Sequence, residues 1–174
     1  MTRDDDIATF HRDVDVGARA VEIRNAGRLQ CRRGCSGCCV DDLTVFEVEA
    51  DAIRSSHPTL LAQGSPHPIG RCAFLDAEGA CRIYDVRPYV CRTQGLPLRW
   101  LDEEEGVESR DICELNDVTV AGPYPTLLEL PEDACWTLGP AEARLRSLQG
   151  SLQGSATNSD PLARVRLRDL FHKV

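Results

Sequence analysis

The segment Cys31-Arg-Arg-Gly-Cys35-Ser-Gly-Cys38-Cys39 places four thiols within nine residues. Gly34 and Gly37, set between closely spaced cysteines, forbid a regular helix there and suit tight turns, so the segment reads as a loop. Cys35-Ser-Gly-Cys38 has the spacing that lets two thiolates reach one metal ion across a turn, with the intervening N–H groups aimed at the sulfurs. Cys38 and Cys39 are harder to seat on one ion, because neighbouring side chains diverge in both helix and strand. A disulfide between them is the poorer alternative: consecutive Cα atoms lie ~3.8 Å apart, short of the usual disulfide range of about 4.4 to 6.8 Å.

A second group, Cys72, Cys81 and Cys91, follows after a connector. In Arg71 to Arg92 two short apolar runs, Cys72 to Leu75 and Cys81 to Tyr84, flank an Asp-Ala-Glu-Gly turn, the pattern of a β-hairpin. Pro88 holds its predecessor extended and can open a helical turn that carries Cys91 round toward the hairpin. Four thiolates saturate a structural zinc and four also hold an iron–sulfur cluster, so these segments with Cys113 as an eighth ligand suit two sites. Cys135, beside Trp136 and Leu138, reads as a buried cysteine acting as a small hydrophobe and stays outside the ligand set.

The remaining sequence limits the setting. The chain of 174 residues carries a net charge of -8 and a pI near 5.0, which leaves no electrostatic grip on nucleic acid or on an anionic membrane surface. No apolar run is long enough to span a bilayer, and the acidic opening MTRDDDIATF is unlike a signal peptide, so a cytoplasmic location is expected. In a reducing compartment clustered thiols are better explained by metal or redox chemistry than by disulfides.

Apolar positions at Ile7, Phe10, Val14, Ala18, Val21 and Ala26 predict an amphipathic helix from about Asp5 to Arg28. A strand is expected at Leu43 to Val45, a helix at Phe46 to Arg54, and an irregular connector from Ser55 to Gly70. Leu98 to Leu101 reads as a strand leading into an acidic loop at Asp102 to Glu105, and Pro140 to Leu152 as a helix. The domain boundary is expected near residue 147: residues 1–147 form a metal-binding domain around a motif core at 31–92. Residues 148–174 form a Gly/Ser/Gln-rich linker and a peripheral helix from Asp160 or Pro161 to Lys173.

CRRGCSGCC followed by CAFLDAEGACRIYDVRPYVCR resembles the YkgJ-type cysteine-cluster family, also called CxxCxxCC and described as zinc- or iron-chelating or as containing an iron–sulfur cluster. Cys81, Ile83, Tyr84, Arg87, Pro88, Cys91 and Arg92 fall in order on the family's C-x-I-Y-x-x-R-P-x-x-C-R block. The resemblance implies that Cys35, Cys38, Cys39, Cys72, Cys81 and Cys91 are metal ligands. Three residues rather than two separate Cys31 from Cys35, which is a departure from the family's spacing.

The expected fold is a small, irregular, metal-stabilised α+β domain with helices around a cysteine-rich loop and a short hairpin. The expected metal ligands are Cys31, Cys35, Cys38, Cys39, Cys72, Cys81, Cys91 and Cys113, holding an iron–sulfur cluster or zinc or iron ions. The function classes that remain are a metal or iron–sulfur protein working with a redox or other protein partner, and a zinc-stabilised adaptor. Arg87 and Arg92 are expected to pair with carboxylates or carbonyls, Tyr84 to pack in the core, and His67 to lie on the surface. Cys31, Cys35 and Cys38 share the spacing of radical SAM enzymes, yet the chain has neither the βα alternation nor the length of the barrel such enzymes need.

Overall fold

The computed structural model describes residues 3–32, 34–102, 104–152 and 162–171. The α+β class expected from the sequence is the one observed, and the chain divides into two compact units, each assembled from separated segments. The first unit comprises residues 1–10, 33–88 and 144–174, and the second comprises 11–32 and 89–143.

In the first unit, strand β1 (Thr44–Phe46) runs directly into helix α2 (Glu47–Ser56). Glu47 and Glu49 sit in the helix's first turn and Arg54 in its last, which complements the helix dipole. Helix α3 (Pro58–Gln63) follows after one residue. It occupies part of the segment expected to be irregular; Pro58 at the first helical position has its φ preset for a helix, so it starts α3 rather than interrupting the chain. The expected hairpin contracts to one antiparallel bridge, Leu75 with Cys81. Asp76 sets its turn, its side chain accepting the N–H groups of Glu78 and Ala80 at 3.0 and 2.7 Å, and Gly79 supplies the left-handed residue at φ 78°.

The strand β5 (Arg164–Arg166) and the 3₁₀ turn Leu167–Leu170 replace the expected C-terminal helix over these residues. β5 pairs antiparallel with β1, with Val45 opposite Val165, and Val165 packs against the core. Leu167, Leu170 and Phe171 are buried among Val45, Ala50, Ile53, Phe74 and Ile83, so this part of the tail completes the core of the first unit and is not peripheral. The linker expected from residue 148 is helical as far as Leu152; its remainder and the helix start at Asp160 or Pro161 lie outside the described residues at 153–161, as does Lys173.

Arg168 ties this segment to the cysteine loop. Its guanidinium donates to the Asp41 carboxylate at 2.8 Å and to the carbonyls of His67 and Arg71 at 2.7 and 2.9 Å. The Arg168 hydrogen bond, followed by that from the Gly70 N–H, holds the Asp41 carboxyl down at about 2. A carboxyl whose pKa falls on folding stabilises the fold above its ordinary value, and the contribution disappears as pH drops through the folded value. Thermal midpoints measured across acid pH are therefore expected to decline between about pH 4 and 2, with a shallower slope in Asp41→Asn; equal slopes would contradict this ion pair.

The second unit takes most of α1 (Arg3–Arg24), whose Val14, Ala18 and Val21 are buried at helical spacing as the sequence predicts. Its sheet has the order β3-β2-β4. β2 (Leu98–Asp102) and β3 (Val107–Asp111) are antiparallel, joined through the acidic loop, while β4 (Trp136–Thr137) runs parallel to β2. Ala18, Val21 and Leu96 form one core with Leu29, Leu98 and Trp136 packed on it. Gly17 makes room for that indole, since a Cβ there would lie 2.9 Å from Trp136 Cζ3. Arg28, almost wholly buried, donates to the carbonyls of Val118, Tyr124 and Pro125 and so fixes a long stretch without regular structure. Helix α5 (Pro140–Leu152) has the expected bounds and passes from the second unit to the first.

Candidate metal centre

The cysteine loop of the first unit is drawn against the hairpin by backbone and side-chain bonds together. Gly34, at φ 86°, turns the chain; the Cys39 N–H then donates to the Ser36 carbonyl at 3.1 Å. Arg71 donates to the Ser36 carbonyl and hydroxyl at 2.9 and 2.6 Å, and the Cys72 N–H donates to the Cys39 carbonyl at 2.9 Å. At the far end of the hairpin Gly79 faces the same serine, where a Cβ would approach Ser36 Oγ to 3.4 Å. Ser36 is thus a buried hub between two cysteine-bearing segments. The sequence marks it only as a filler within the Cys-x-x-Cys.

Five of the eight predicted ligands, Cys35, Cys38, Cys39, Cys72 and Cys81, lie in this unit. Cys72 is buried in its core and Cys39 and Cys81 pack against that core. A hydrogen bond from the Cys39 thiol, opposed by partial burial, pushes the Cys38 thiol down to about 6. Burial pushes the Cys72 and Cys81 thiols up. Cys38 thereby has the greater thiolate character, while burial favours the protonated form of the two hairpin thiols.

The other three predicted ligands, Cys31, Cys91 and Cys113, lie in the second unit. The hairpin pair Cys72 and Cys81 and the residue expected to join them, Cys91, therefore fall in different units. Cys91 stands on the short helix α4 (Tyr89–Thr93), as the proline-initiated turn predicts. Arg92 anchors that helix through the Asp15 carboxylate at 2.6 Å, and the Tyr89 hydroxyl donates to Glu142 while accepting the Trp136 indole N–H at 2.9 Å. Arg92 thus has the carboxylate partner expected of it. Arg87 donates to the Tyr84 carbonyl and stacks on the Tyr84 ring at 4.1 Å. Tyr84 itself is 64% exposed, so the expected core packing is replaced by this surface stack.

Asn116 is the residue that spacing rules miss. It is fully buried: its Oδ1 accepts the Gln30 N–H at 2.7 Å, and its Nδ2 donates to the Gly95 carbonyl at 2.7 Å and to Cys31 Sγ at 3.4 Å. Its own N–H donates to the Cys113 carbonyl at 2.7 Å. The only sequence-level signal is its place three residues after a cysteine. Cys135, by contrast, is buried with Leu130 and Ala134, and burial pushes its thiol up, in keeping with the packing role expected of it.

None of the nine cysteines, all of them described, is disulfide-bonded. Among the described residues no three Cys, His, Asp or Glu side chains are yet gathered into a coordination group. The donor chemistry fits zinc or iron: soft sulfur ligands, one of them acidified, on segments already bonded to one another. Among the described residues no helix is long and apolar enough to cross a membrane.

Comparison with curated proteins and with solved structures gives no match. A family model does match, over residues 30–114, a span that begins beside Cys31 and ends just after Cys113 and so includes all eight predicted ligands. The family is CxxCxxCC, described as a "putative zinc- or iron-chelating domain", and residues 30–114 are similar to it.

Proposed function

We propose that this protein holds an iron–sulfur cluster, or zinc or iron ions, through Cys31, Cys35, Cys38, Cys39, Cys72, Cys81, Cys91 and Cys113, and works in the cytoplasm in electron transfer, metal sensing or metal handling with a protein partner. The observation that carries the reading is the bonding of the Cys35 to Cys39 loop onto the Cys72 to Cys81 hairpin through Ser36 and the Cys39 carbonyl. Two cysteine segments separated by more than thirty residues are joined by a buried polar contact. Folding thus reduces the entropy that a metal must otherwise overcome to collect its ligands.

The membership of Cys39, Cys72 and Cys81 in the first unit's core supports a second reading, a zinc-stabilised adaptor whose ion serves the fold. Elemental analysis for iron, zinc and acid-labile sulfide on protein purified without oxygen separates the two. Iron with sulfide and visible absorption is the expected result. Colourless protein with near-stoichiometric zinc refutes the iron–sulfur and electron-transfer reading and favours the adaptor, and protein that binds neither metal refutes both.

A further inference from the structure

We infer that the eight thiols serve two separate metal centres, one within each unit, and that Asn116 is the positioning residue of the second, formed by Cys31, Cys91 and Cys113. The inference rests on the metal-binding reading above and adds a division that the spacing of the cysteines does not reveal. Cys31 precedes Cys35 by only four positions and belongs to the same motif by eye, yet it lies in the second unit and Cys35 in the first.

The second unit brings three cysteine-bearing segments onto one buried amide. Asn116 takes the N–H of Gln30, next to Cys31, on its Oδ1. Through Nδ2 it reaches Gly95, one helical turn beyond Cys91, and Cys31 Sγ itself; through its own N–H it closes the turn that starts at Cys113. An N–H aimed at sulfur stabilises a thiolate and orients it, which is the usual task of a residue behind metal ligands. Gly95 confirms how closely this sulfur is seated. It lies at φ 88°, and a Cβ on it would fall 2.5 Å from Cys31 Sγ and 3.4 Å from Asn116 Nδ2. Only glycine leaves space for that thiol.

The amide is required rather than merely a polar group of that size. With aspartate at position 116 the shape and the acceptor for Gln30 remain, but the donor to sulfur and to the Gly95 carbonyl becomes a negative charge beside a thiolate.

Cobalt(II) titration of the reduced, metal-free full chain, followed by its thiolate charge-transfer absorption, tests the division. The wild-type chain is expected to take up cobalt in two separable steps. Cys31→Ser, at an exposed position, and Cys113→Ser should each remove one step and keep the other; Cys38→Ser should remove the opposite one. Asn116→Asp should weaken only the step that Cys31→Ser removes, by about 10 to 100-fold, and Asn116→Ala should weaken it less. The unchanged step in each variant reports that the other unit is still folded, and a far-UV circular dichroism spectrum equal to that of the metal-free wild type reports the same for the unit that carries the substitution. If Cys31→Ser and Cys38→Ser abolish the same step, the thiols form one shared centre and the division is wrong, although metal binding stands. Loss of both steps together in Asn116→Asp would reduce that residue to a general structural role. A wild-type chain that takes up no cobalt would overturn the metal-binding reading and the division with it.

Discussion

Serine at position 38 is expected to abolish metal retention by the first unit while leaving its secondary structure in place. Cys38 is half-buried, and the hydrogen bond from the neighbouring Cys39 thiol holds its own thiol near 6, so as a proposed ligand it can bind without first losing a proton. An alcohol keeps the size of the side chain but does not ionise in the accessible range, and it is a hard donor where zinc and iron in such sites prefer sulfur. Because metal binding and folding are coupled, the variant should also unfold at a lower temperature than the loaded wild type and at nearly the same temperature as the stripped wild type. Cys135→Ala, in the apolar cluster with Leu130 and Ala134, should retain metal. Metal content measured beside thermal unfolding decides the matter: full retention in Cys38→Ser, or loss in Cys135→Ala, contradicts the ligand assignment.

Truncation of Phe74 should have the largest effect on stability, a loss of about 3 to 5 kcal/mol on replacement by alanine. The ring is completely buried in the first unit, 4.9 Å from that of Phe171 between centroids, and its own carbonyl accepts the Arg82 N–H across the hairpin. A cavity at this point loosens both the hairpin that carries Cys72 and Cys81 and the C-terminal segment packed on it. Such a loss is a large part of the 5 to 15 kcal/mol by which a domain is typically stable. Denaturant unfolding followed by far-UV circular dichroism should register it, and a change below about 1 kcal/mol would mean that the site collapses around the smaller side chain.

What the sequence made legible was whatever depends on near neighbours. The buried stripe of α1, the extent of α5 and the short α4 after Pro88 follow from apolar spacing and proline geometry, and all three are present. The eight thiols could be singled out because cysteine chemistry is carried by residue type and local spacing. Contacts between distant segments were not legible. Nothing local announces that β4 should run parallel to β2, that Arg28 should be spent on the carbonyls of Val118, Tyr124 and Pro125, or that Asn116 should gather three cysteine segments. The hairpin between Cys72 and Cys81 is shorter than the apolar runs predict, because the Leu75 N–H turns back onto the Cys72 carbonyl and Tyr84–Val86 forms a 3₁₀ turn, so neither run extends as a strand beyond the single bridge. The C-terminal segment departs from its expected helix because contacts with distant residues decide its structure. Its arginines at 164, 166 and 168 suggest a solvated face, whereas Val165 between them pairs with β1 and Leu167, Leu170 and Phe171 close a core begun more than a hundred residues earlier.

That last arrangement has a consequence for the order in which the protein is made. The ribosome delivers Cys81 ninety residues before Phe171, the partner of Phe74 in the same core. At translation rates of about 5 to 20 residues per second, the thiols of the first unit wait on the order of 5 to 20 seconds before the packing around them can be completed. During that interval they are an unshielded nascent segment, open to oxidants and to any ion that binds sulfur. Which metal the finished protein holds can therefore depend on what is present during synthesis as well as on the affinity of the folded site.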